Sequence, residues 1–175
     1  MMYRYTVPLS IGILSLLLQS CLPASHTLTT GAAAGYSEAR RTLEQSRALP
    51  SLGRDRRMVL DEAETWLGTP YQFGGVTRSG VDCSGFVCNV FRVADRRLPR
   101  NSGEQAQVGS SVNLTQVLPG DLVFFNTSGS GVSHVGIMVD RDSFIHASTS
   151  SGVIVSRLSE SYYSSHFMFI KRVLN

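Results

Sequence analysis

The sequence contains almost no lysine and shows no pairing of basic with aromatic residues. Lys171 is the single lysine among the 16 Lys and Arg residues, and six arginines lie between Arg40 and Arg57. Because the arginines do not alternate with aromatic side chains and no nucleic-acid-binding motif accompanies them, the composition argues against nucleic acid as a partner. The Arg-rich stretch is either a solvated surface or a segment attracted to an anionic surface.

A second absence is that of a long apolar segment near the N-terminus. Residues 11–18 form the apolar run there, and this run is too short to span a bilayer. Arg4 precedes it and the small residue Ser20 follows it, which is the arrangement of an export signal. The sequence therefore predicts that residues 1–20 are a signal peptide.

Residues 18–21 read Leu-Gln-Ser-Cys, which resembles the lipobox of bacterial lipoproteins, although Gln19 departs from the usual small or aliphatic residue. The resemblance implies that Cys21 is diacylated and that the protein is an outer-membrane lipoprotein facing the periplasm of a Gram-negative bacterium. The alternative is an ordinary signal peptide in which Cys21 is incidental. Residues 21–50 are expected to form a flexible tether, whose Arg-rich part is compatible with a brief helix, and residues 51–175 the folded domain.

Cysteine is scarce, and the three cysteines are an odd number for an exported chain. If Cys21 carries lipid, Cys83 and Cys88 remain, about 140° apart around one predicted helix. They cannot reach each other to form a disulfide. One of the two thiols is therefore expected to have a chemical function, and Cys88 is interpreted as the inert one.

The domain begins with helical periodicity and continues with strand-like alternation. Apolar residues at helical spacing predict helices over 55–67 and 83–94, and a shorter helix is expected near 102–108. Strands are predicted at residues 121–125, 133–139, 143–147, 153–155 and 167–173. Helices followed by an antiparallel run of strands indicate an α+β fold, with the helices packed on one side of a small, curved sheet.

Cys83 is the strongest candidate for a nucleophile. It follows Asp82, the predicted N-cap, and shares a helix face with apolar residues, so its side chain is expected to face the sheet. The helix dipole and nearby N–H groups at a helix N-terminus favour the thiolate. The same N–H groups can stabilise an oxyanion, as acyl transfer by cysteine requires. The competing interpretation is a buried, inert cysteine.

The base is expected to be a histidine on the facing sheet. His134 begins one predicted strand and His146 lies on the next, so a tight turn around Asp140 would place them opposite each other or nearly so. His146 could then orient the His134 ring through a hydrogen bond, as the third member of a triad does. His166 has no comparable partner pattern and is interpreted as structural, and His26 lies in the predicted tether.

Two other interpretations concern ligands. Tyr71 could donate its hydroxyl to an oxyanion or to substrate, or it could be a packing residue only. A zinc site formed by Cys83, His134 and His146 is the metal alternative, but no fourth ligand and no paired metal-ligand spacing supports it. No metal and no cofactor are expected.

Five motifs together resemble the NlpC family of cell-wall cysteine peptidases, over residues 55–173. They are Pro-Tyr-Gln-Phe-Gly-Gly at 70–75, Asp-Cys-Ser-Gly-Phe-Val at 82–87, Pro-Gly-Asp-Leu-Val-Phe-Phe at 119–125, Ser-His-Val-Gly-Ile at 133–137 and Phe-Ile-His-Ala-Ser at 144–148. The intervals between Cys83, His134 and His146 also look like those of the Spr-like murein endopeptidase lipoproteins.

The resemblance implies a papain-like core that hydrolyses amide bonds in peptidoglycan stem peptides without a metal or organic cofactor. It assigns Cys83 as nucleophile, His134 as base and His146 as the third polar residue. Asp82 and Ser84 match family positions that shape the substrate site beside the nucleophile. The expected partners are peptidoglycan peptides and, through the lipid anchor, a membrane, and the chain is expected to be a monomer.

The resemblance leaves the reaction open in two respects. The favoured reaction is that of a murein DD-endopeptidase, which cuts the D-alanyl–diaminopimelate cross-link, and the alternative is cleavage between D-glutamate and diaminopimelate. An amide acyltransferase is a further alternative, since an amine can resolve a thioester as water does. The last alternative is an inactive wall-binding module, against which the intact set of Cys83, His134 and His146 argues.

Overall fold

A computed structural model describes residues 1–2 and 29–175. Cys21 and nearly all of the predicted signal peptide lie outside the described residues. The helices are α1 (Thr29–Arg47), α2 (Arg54–Glu64), α3 (Cys83–Phe91), α4 (Ser102–Gln105) and α5 (Ser161–His166). The strands are β1 (Val76–Thr77), β2 (Gly80–Val81), β3 (Ser110–Val112), β4 (Leu122–Phe125), β5 (His134–Met138), β6 (Ser143–Ser148), β7 (Gly152–Arg157) and β8 (Phe167–Arg172). Within this described part, no helix combines the length and apolar character needed to cross a bilayer.

Six strands form one antiparallel sheet in the order β3-β8-β4-β5-β6-β7, and β1 pairs with β2 in a separate hairpin. The α+β prediction is confirmed, and the predicted strands are all present as β4 to β8. The hairpin, β3 and α5 are not predicted. β1, β2 and β3 have two or three residues each, which is too few for an alternating pattern to be recognised.

Both faces of the sheet are buried, and each face carries its own apolar cluster. α3 packs against β5 and β6, and Phe86 and Val135 belong to the cluster on that side. On the other side Phe125 and Phe144 pack with Tyr163 of α5. The prediction that helices cover only one side is therefore wrong for α5. The reason is that every residue of β4 is buried, which requires cover on both faces.

α1 differs from the flexible tether predicted for residues 21–50. Residues 29–47 form a helix that packs on α2 and β7, and its Leu43 is fully buried. Arg47 at its end forms an ion pair with Glu64 of α2. Because few apolar residues mark the buried face of α1, the sequence indicates only a brief helix here, and the tertiary contact extends it.

Asp121 is a fully buried carboxylate that joins the helical layer to the sheet. Arg56 of α2 donates to its Oδ1 at 3.1 Å, and Arg172 of β8 donates to its two oxygens at 2.9 and 2.7 Å. Arg56 also donates to the backbone carbonyls of Pro119 and Leu174. This ion-pair cluster ties α2, the start of β4 and the end of β8 together.

Replacing Asp121 with alanine is expected to destabilise the fold by about 3–5 kcal/mol, because a buried arginine loses its counter-charge. Asp61→Ala is the matched control, since the Asp61 side chain is 63% exposed in its ion pair with Arg47 and such pairs contribute about 0–1 kcal/mol. Urea unfolding of both variants measures the difference. Equal losses of unfolding free energy would contradict the anchoring role of Asp121.

Candidate active site

Cys83 is the first residue of α3 and is nearly buried, at 7% exposure. The backbone N–H groups of Val135, Ser84 and Cys83 itself lower the pKa of the thiol, so they lie near its sulfur. Because Val135 follows His134 on β5, and α3 packs against β5, the thiol lies near the strand end that carries the predicted base.

His134 and His146 are joined by a hydrogen bond, as the sequence predicts. Nε2 of His134 lies 2.8 Å from Nδ1 of His146, and the two rings are nearly perpendicular, at 87°. Because Nε2 of His134 is engaged in this way, Nδ1 is the nitrogen left to exchange a proton with Cys83. His146 is almost completely buried, at 1% exposure.

The strand register that produces this contact is shifted by two positions from direct opposition. Met138 pairs with Phe144, so the turn is centred one residue after Asp140 and His146 lies diagonal to His134. The side chain of Asp140 explains the shift, because it accepts hydrogen bonds from backbone N–H groups two and three residues further on. Asp140 therefore starts the turn and does not form its centre.

Gly136 makes the diagonal contact possible. A Cβ atom at this position would lie 2.7 Å from the Phe144 ring and 3.2 Å from Cβ of His146. A larger residue would therefore displace one of these neighbours. The absence of a side chain lets the His146 ring reach diagonally across the strand to His134.

Ser156 and Tyr163 extend the chain of hydrogen bonds that begins with His134 and His146, and sequence reasoning missed both. The Ser156 hydroxyl and the Tyr163 hydroxyl each lie 3.2 Å from Nε2 of His146. Ser156 comes from β7 and Tyr163 from α5, the helix that covers the outer face of the sheet. Nothing in the sequence marks them, because one lies in a strand of ordinary alternation and the other in an unpredicted helix.

The chain of contacts is compatible with the tautomers that let His134 act as a base. For His134 to accept a proton at Nδ1, its Nε2 must carry the hydrogen and donate to Nδ1 of His146. Nε2 of His146 then carries a hydrogen, which Ser156 or Tyr163 accepts. In this arrangement the two hydroxyls give the buried Nε2 hydrogen of His146 a partner.

Burial favours the neutral forms of Cys83, His134 and His146. It lowers the pKa of His134 to about 4, and burial together with the charge of His134 lowers the pKa of His146 well below its usual value. Burial likewise raises the pKa of the Cys83 thiol, although the backbone N–H groups around the sulfur oppose this rise. The thiolate expected at the helix N-terminus stays a prediction: the N–H groups favour it, and desolvation opposes it.

Asp82 and Ser84 lie beside the nucleophile as predicted, and both are tied to Arg100, which sequence reasoning missed. Arg100 donates to the two oxygens of Asp82 at 2.9 and 2.7 Å and to the Ser84 hydroxyl at 2.9 Å. Asp82 also caps α3 by accepting from the N–H of Gly85 at 2.7 Å. Burial raises the pKa of Asp82, but the hydrogen bonds from Arg100 and Gly85 lower it by more. The net pKa is therefore lowered, and the carboxylate stays ionised. A buried carboxylate next to Cys83 needs a nearby cation to stay ionised. The position of Asp82 was therefore the signal that could have indicated an arginine here.

Tyr71 stands at the mouth of this site. It forms a β-bridge with Val81 and is partly exposed. Burial raises the pKa of its hydroxyl, and the nearby Cys83 and Asp82 raise it further. The hydroxyl remains protonated at neutral pH and is able to donate a hydrogen bond.

A cavity of about 290 Å³ opens beside the two histidines. Besides His134 and His146, its lining is rich in hydroxyl groups, from Thr127, Ser148, Thr149, Ser150, Tyr162 and Tyr163. Hydroxyl groups both donate and accept, so this surface suits a peptide or sugar rich in polar groups. His166 lies outside the cluster and bonds within its own helix, to the carbonyl of Tyr162.

The zinc alternative gains no support from the geometry. In residues 29–175, no group of three or more His, Cys, Asp and Glu side chains is arranged to hold a metal ion. The ring nitrogens that a metal would need are occupied, since Nε2 of His134 and both nitrogens of His146 contact polar side chains. Cys88, the other free thiol, donates to the carbonyls of Leu98 and Pro99.

A cysteine at a helix N-terminus, close to a strand that carries a hydrogen-bonded histidine pair, is the arrangement expected of a cysteine-dependent acyl-transfer site. The chain belongs to the NlpC/P60 family, whose profile matches residues 68–172. It is 48% identical over 115 residues to the probable endopeptidase NlpC of Escherichia coli K12, with 65% of this chain and 75% of that protein covered.

A second relative and a solved structure agree with this assignment. The murein DD-endopeptidase MepS/murein LD-carboxypeptidase of Escherichia coli K12 is 42% identical over 118 residues, which cover 67% of this chain and 62% of that protein. The crystal structure of the NlpC/p60 domain of the peptidoglycan hydrolase SagA matches with a TM-score of 0.60 at 30% identity. That match covers 67% of this chain and 98% of the SagA domain.

The pKa of His134 predicts an unusually low acid limit of activity. A base with a pKa of about 4 stays neutral through the range in which an ordinary histidine is protonated, and is lost only as the pH falls through about 4. We expect kcat/KM to be flat from about pH 8 down to about pH 5 and to fall below that. The measurement uses a peptide substrate with amidated carboxylates, so that only the enzyme titrates. An acid limb between pH 6 and 7 would show that His134 is solvated.

Removing the two hydroxyls that hold His146 is expected to lower kcat more than it changes KM. The double variant Ser156→Ala/Tyr163→Phe leaves the Nε2 hydrogen of His146 buried without a partner, which costs about 1–3 kcal/mol, or about ten- to a hundredfold in rate. Each single variant keeps one acceptor for the Nε2 hydrogen of His146, so its kcat should fall less. Ser164→Ala/Ser165→Ala on the exposed face of α5 is the control and should retain wild-type kcat, because neither residue lines the cavity. Wild-type kcat in the first double variant would refute the tautomer argument.

Proposed function

We propose that the chain is a cell-wall cysteine peptidase that cleaves the D-alanyl–diaminopimelate cross-link of peptidoglycan, a murein DD-endopeptidase. The observation that carries the peptidase chemistry is the 2.8 Å hydrogen bond between His134 and His146 next to the buried thiol of Cys83. The choice of bond is supported by the relative at 42% identity, which is named a murein DD-endopeptidase.

In the first half of the reaction Cys83 becomes acylated. Nδ1 of His134 takes the thiol proton as the sulfur attacks the scissile carbonyl carbon. The developing oxyanion is held by the N–H groups of Cys83 and Ser84, which the attacking sulfur vacates, and by the Tyr71 hydroxyl. The C–N bond then breaks, and His134 returns its proton to the leaving amine, which leaves a thioester on Cys83.

In the second half water replaces the amine. His134, again neutral, removes a proton from a water molecule, and the resulting hydroxide attacks the thioester carbon. The same N–H groups hold the second oxyanion, and the C–S bond breaks to release a carboxylic acid. The thiolate recovers the proton from His134, so that one amide and one water become one amine and one acid.

Substrate binding beside the nucleophile is proposed for Tyr71, Asp82 and Ser84. Tyr71 is partly exposed, and its hydroxyl makes no hydrogen bond to any residue of the described part. Asp82 has both carboxylate oxygens occupied by protein donors. We infer that Tyr71 contacts substrate directly and that Asp82 acts mainly by holding Ser84 and the surrounding loop in place.

Cys83→Ala is expected to abolish release of fragments from purified, crosslinked peptidoglycan while leaving the unfolding midpoint close to that of the wild type. Cys88→Ala is the matched control and should keep its activity, because Cys88 lies on another face of α3 away from the histidines. Mass spectrometry of the fragments identifies the bond: loss of D-alanyl–diaminopimelate dimers supports the proposal. Cleavage between D-glutamate and diaminopimelate would refute the bond assignment, and full activity of Cys83→Ala would refute the peptidase mechanism.

We propose further that the protein is a lipoprotein anchored through Cys21 to the outer membrane, with the domain in the periplasm as a monomer. The support is the Leu-Gln-Ser-Cys sequence at 18–21, which follows an apolar run of signal-peptide length. The relatives are enzymes of murein, which lies outside the cytoplasm. A lipid at this position would keep the enzyme beside its substrate without a separate wall-binding module.

Metabolic labelling with a clickable fatty acid tests the anchor. We expect label on the wild-type protein and none on Cys21→Ala, and we expect the variant to be released from the membrane fraction. Cys88→Ala should be labelled like the wild type, which controls for loss of a thiol. Equal labelling of wild type and Cys21→Ala, or none in either, would contradict lipidation at Cys21.

A further inference from the structure

A cavity of about 670 Å³ lies on the face of α3 that points away from the histidines. One wall is a row of residues one turn apart, Gly85 and Cys88 of α3 and Arg92 directly after it, with Asn89 between them. The opposite wall is the segment 95–100 that follows α3. The mechanism described above uses no part of this space except Arg100.

The cavity is strongly basic. Arg92, Arg97 and Arg100 line it, and Asp95 is the one acidic residue in its lining. Arg100 is paired with Asp82, whereas Arg92 and Arg97 form no ion pair with any acidic side chain in the described ranges. Gathering like charges around a concave surface raises the local potential and attracts an anion.

The walls of this arginine cavity are held in place before any ligand arrives. Asn89 donates a hydrogen bond of 2.9 Å to the carbonyl of Val76, which fixes the β1–β2 hairpin to α3. Cys88 and the buried Gln105 both bond the carbonyl of Pro99, at 3.2 and 2.8 Å, and so fix the facing segment. A preformed site loses little ordering entropy when it binds a ligand.

Arg100 connects the arginine cavity to the nucleophile. Its guanidinium lines the cavity and also bonds Asp82 and Ser84, the two residues that flank Cys83. Along the helix axis Arg92 lies about 14 Å beyond Cys83. An extended peptide of about four residues spans this distance, so a substrate held at Cys83 can reach the cavity.

We infer that the arginine cavity binds a free carboxylate of the peptidoglycan peptide, a few residues from the bond that Cys83 attacks. This inference rests on the proposed function for its substrate. Guanidinium groups bind carboxylates through paired hydrogen bonds, and stem peptides carry free carboxylates on D-glutamate and diaminopimelate. Arg92 and Arg97 would then determine preference for an acidic peptide over its amidated form.

The test compares kinetics on a soluble crosslinked muropeptide and on the same muropeptide with its carboxylates amidated. For Arg92→Gln/Arg97→Gln we expect KM on the acidic substrate to rise roughly tenfold with kcat unchanged. On the amidated substrate the variant and the wild type should have the same KM. Arg96→Gln/Arg141→Gln removes the same charge from positions outside the cavity and should behave as wild type on both substrates.

An unchanged KM on the acidic substrate, or an equal rise in both double variants, would overturn the inference. A binding measurement separates this failure from failure of the proposed function. Calorimetry measures how tightly the acidic muropeptide binds to the full chain carrying Cys83→Ala, with and without the Arg92→Gln/Arg97→Gln change. If the wild type cleaves neither muropeptide, the proposed function fails, and weaker binding after the arginine change still supports the cavity. Equal binding refutes the cavity in either case.

Discussion

The carboxylate of Asp82 is the interaction on which the site depends most. It accepts hydrogen bonds from the N–H of Gly85, the N–H of Gly74, the Ser84 hydroxyl and both ends of the Arg100 guanidinium. Through these bonds one side chain begins α3 at Cys83, holds the glycine loop against the helix and orients the cation that borders the arginine cavity. Because the carboxylate lies at a helix N-terminus and faces an arginine, its charge is stabilised where an isolated buried acid would be neutral.

The second constraint is the dry surrounding of the two histidines. His146 lies between the Phe144 ring at 4.8 Å and the Tyr163 ring at 5.3 Å, measured between ring centroids. The aromatic rings limit the access of water to His146, and a hydrogen bond in such surroundings is stronger than one in water. The same burial disfavours a charge on either histidine. Because Tyr163 belongs to α5, that helix is as much part of the site as the strands.

Local patterns predicted the parts of this structure that depend on neighbours in the chain. The N-cap at Asp82 was sufficient to place Cys83 at the start of α3, and the alternation of β5 with the short distance between adjacent strands was sufficient to place His146 beside His134. What the sequence could not reveal depends on packing between distant segments. Arg100, Ser156 and Tyr163 reach the site from other elements, and α1 is extended by contact with α2 and β7. The pKa of the Cys83 thiol depends on the same packing, since burial raises it while the N–H groups at the helix N-terminus lower it.

A buried and protonated Cys83 also has a consequence for the lifetime of the enzyme. Oxidants and disulfides react with thiolates, and a neutral thiol at 7% exposure presents them with little to attack. Cys88 is protected in the same way, by burial that raises its pKa and by the carbonyls that its thiol contacts. An enzyme of the cell wall works outside the reducing cytosol, where free thiols are readily lost. The packing that raises the pKa of the Cys83 thiol therefore also limits its reaction with oxidants.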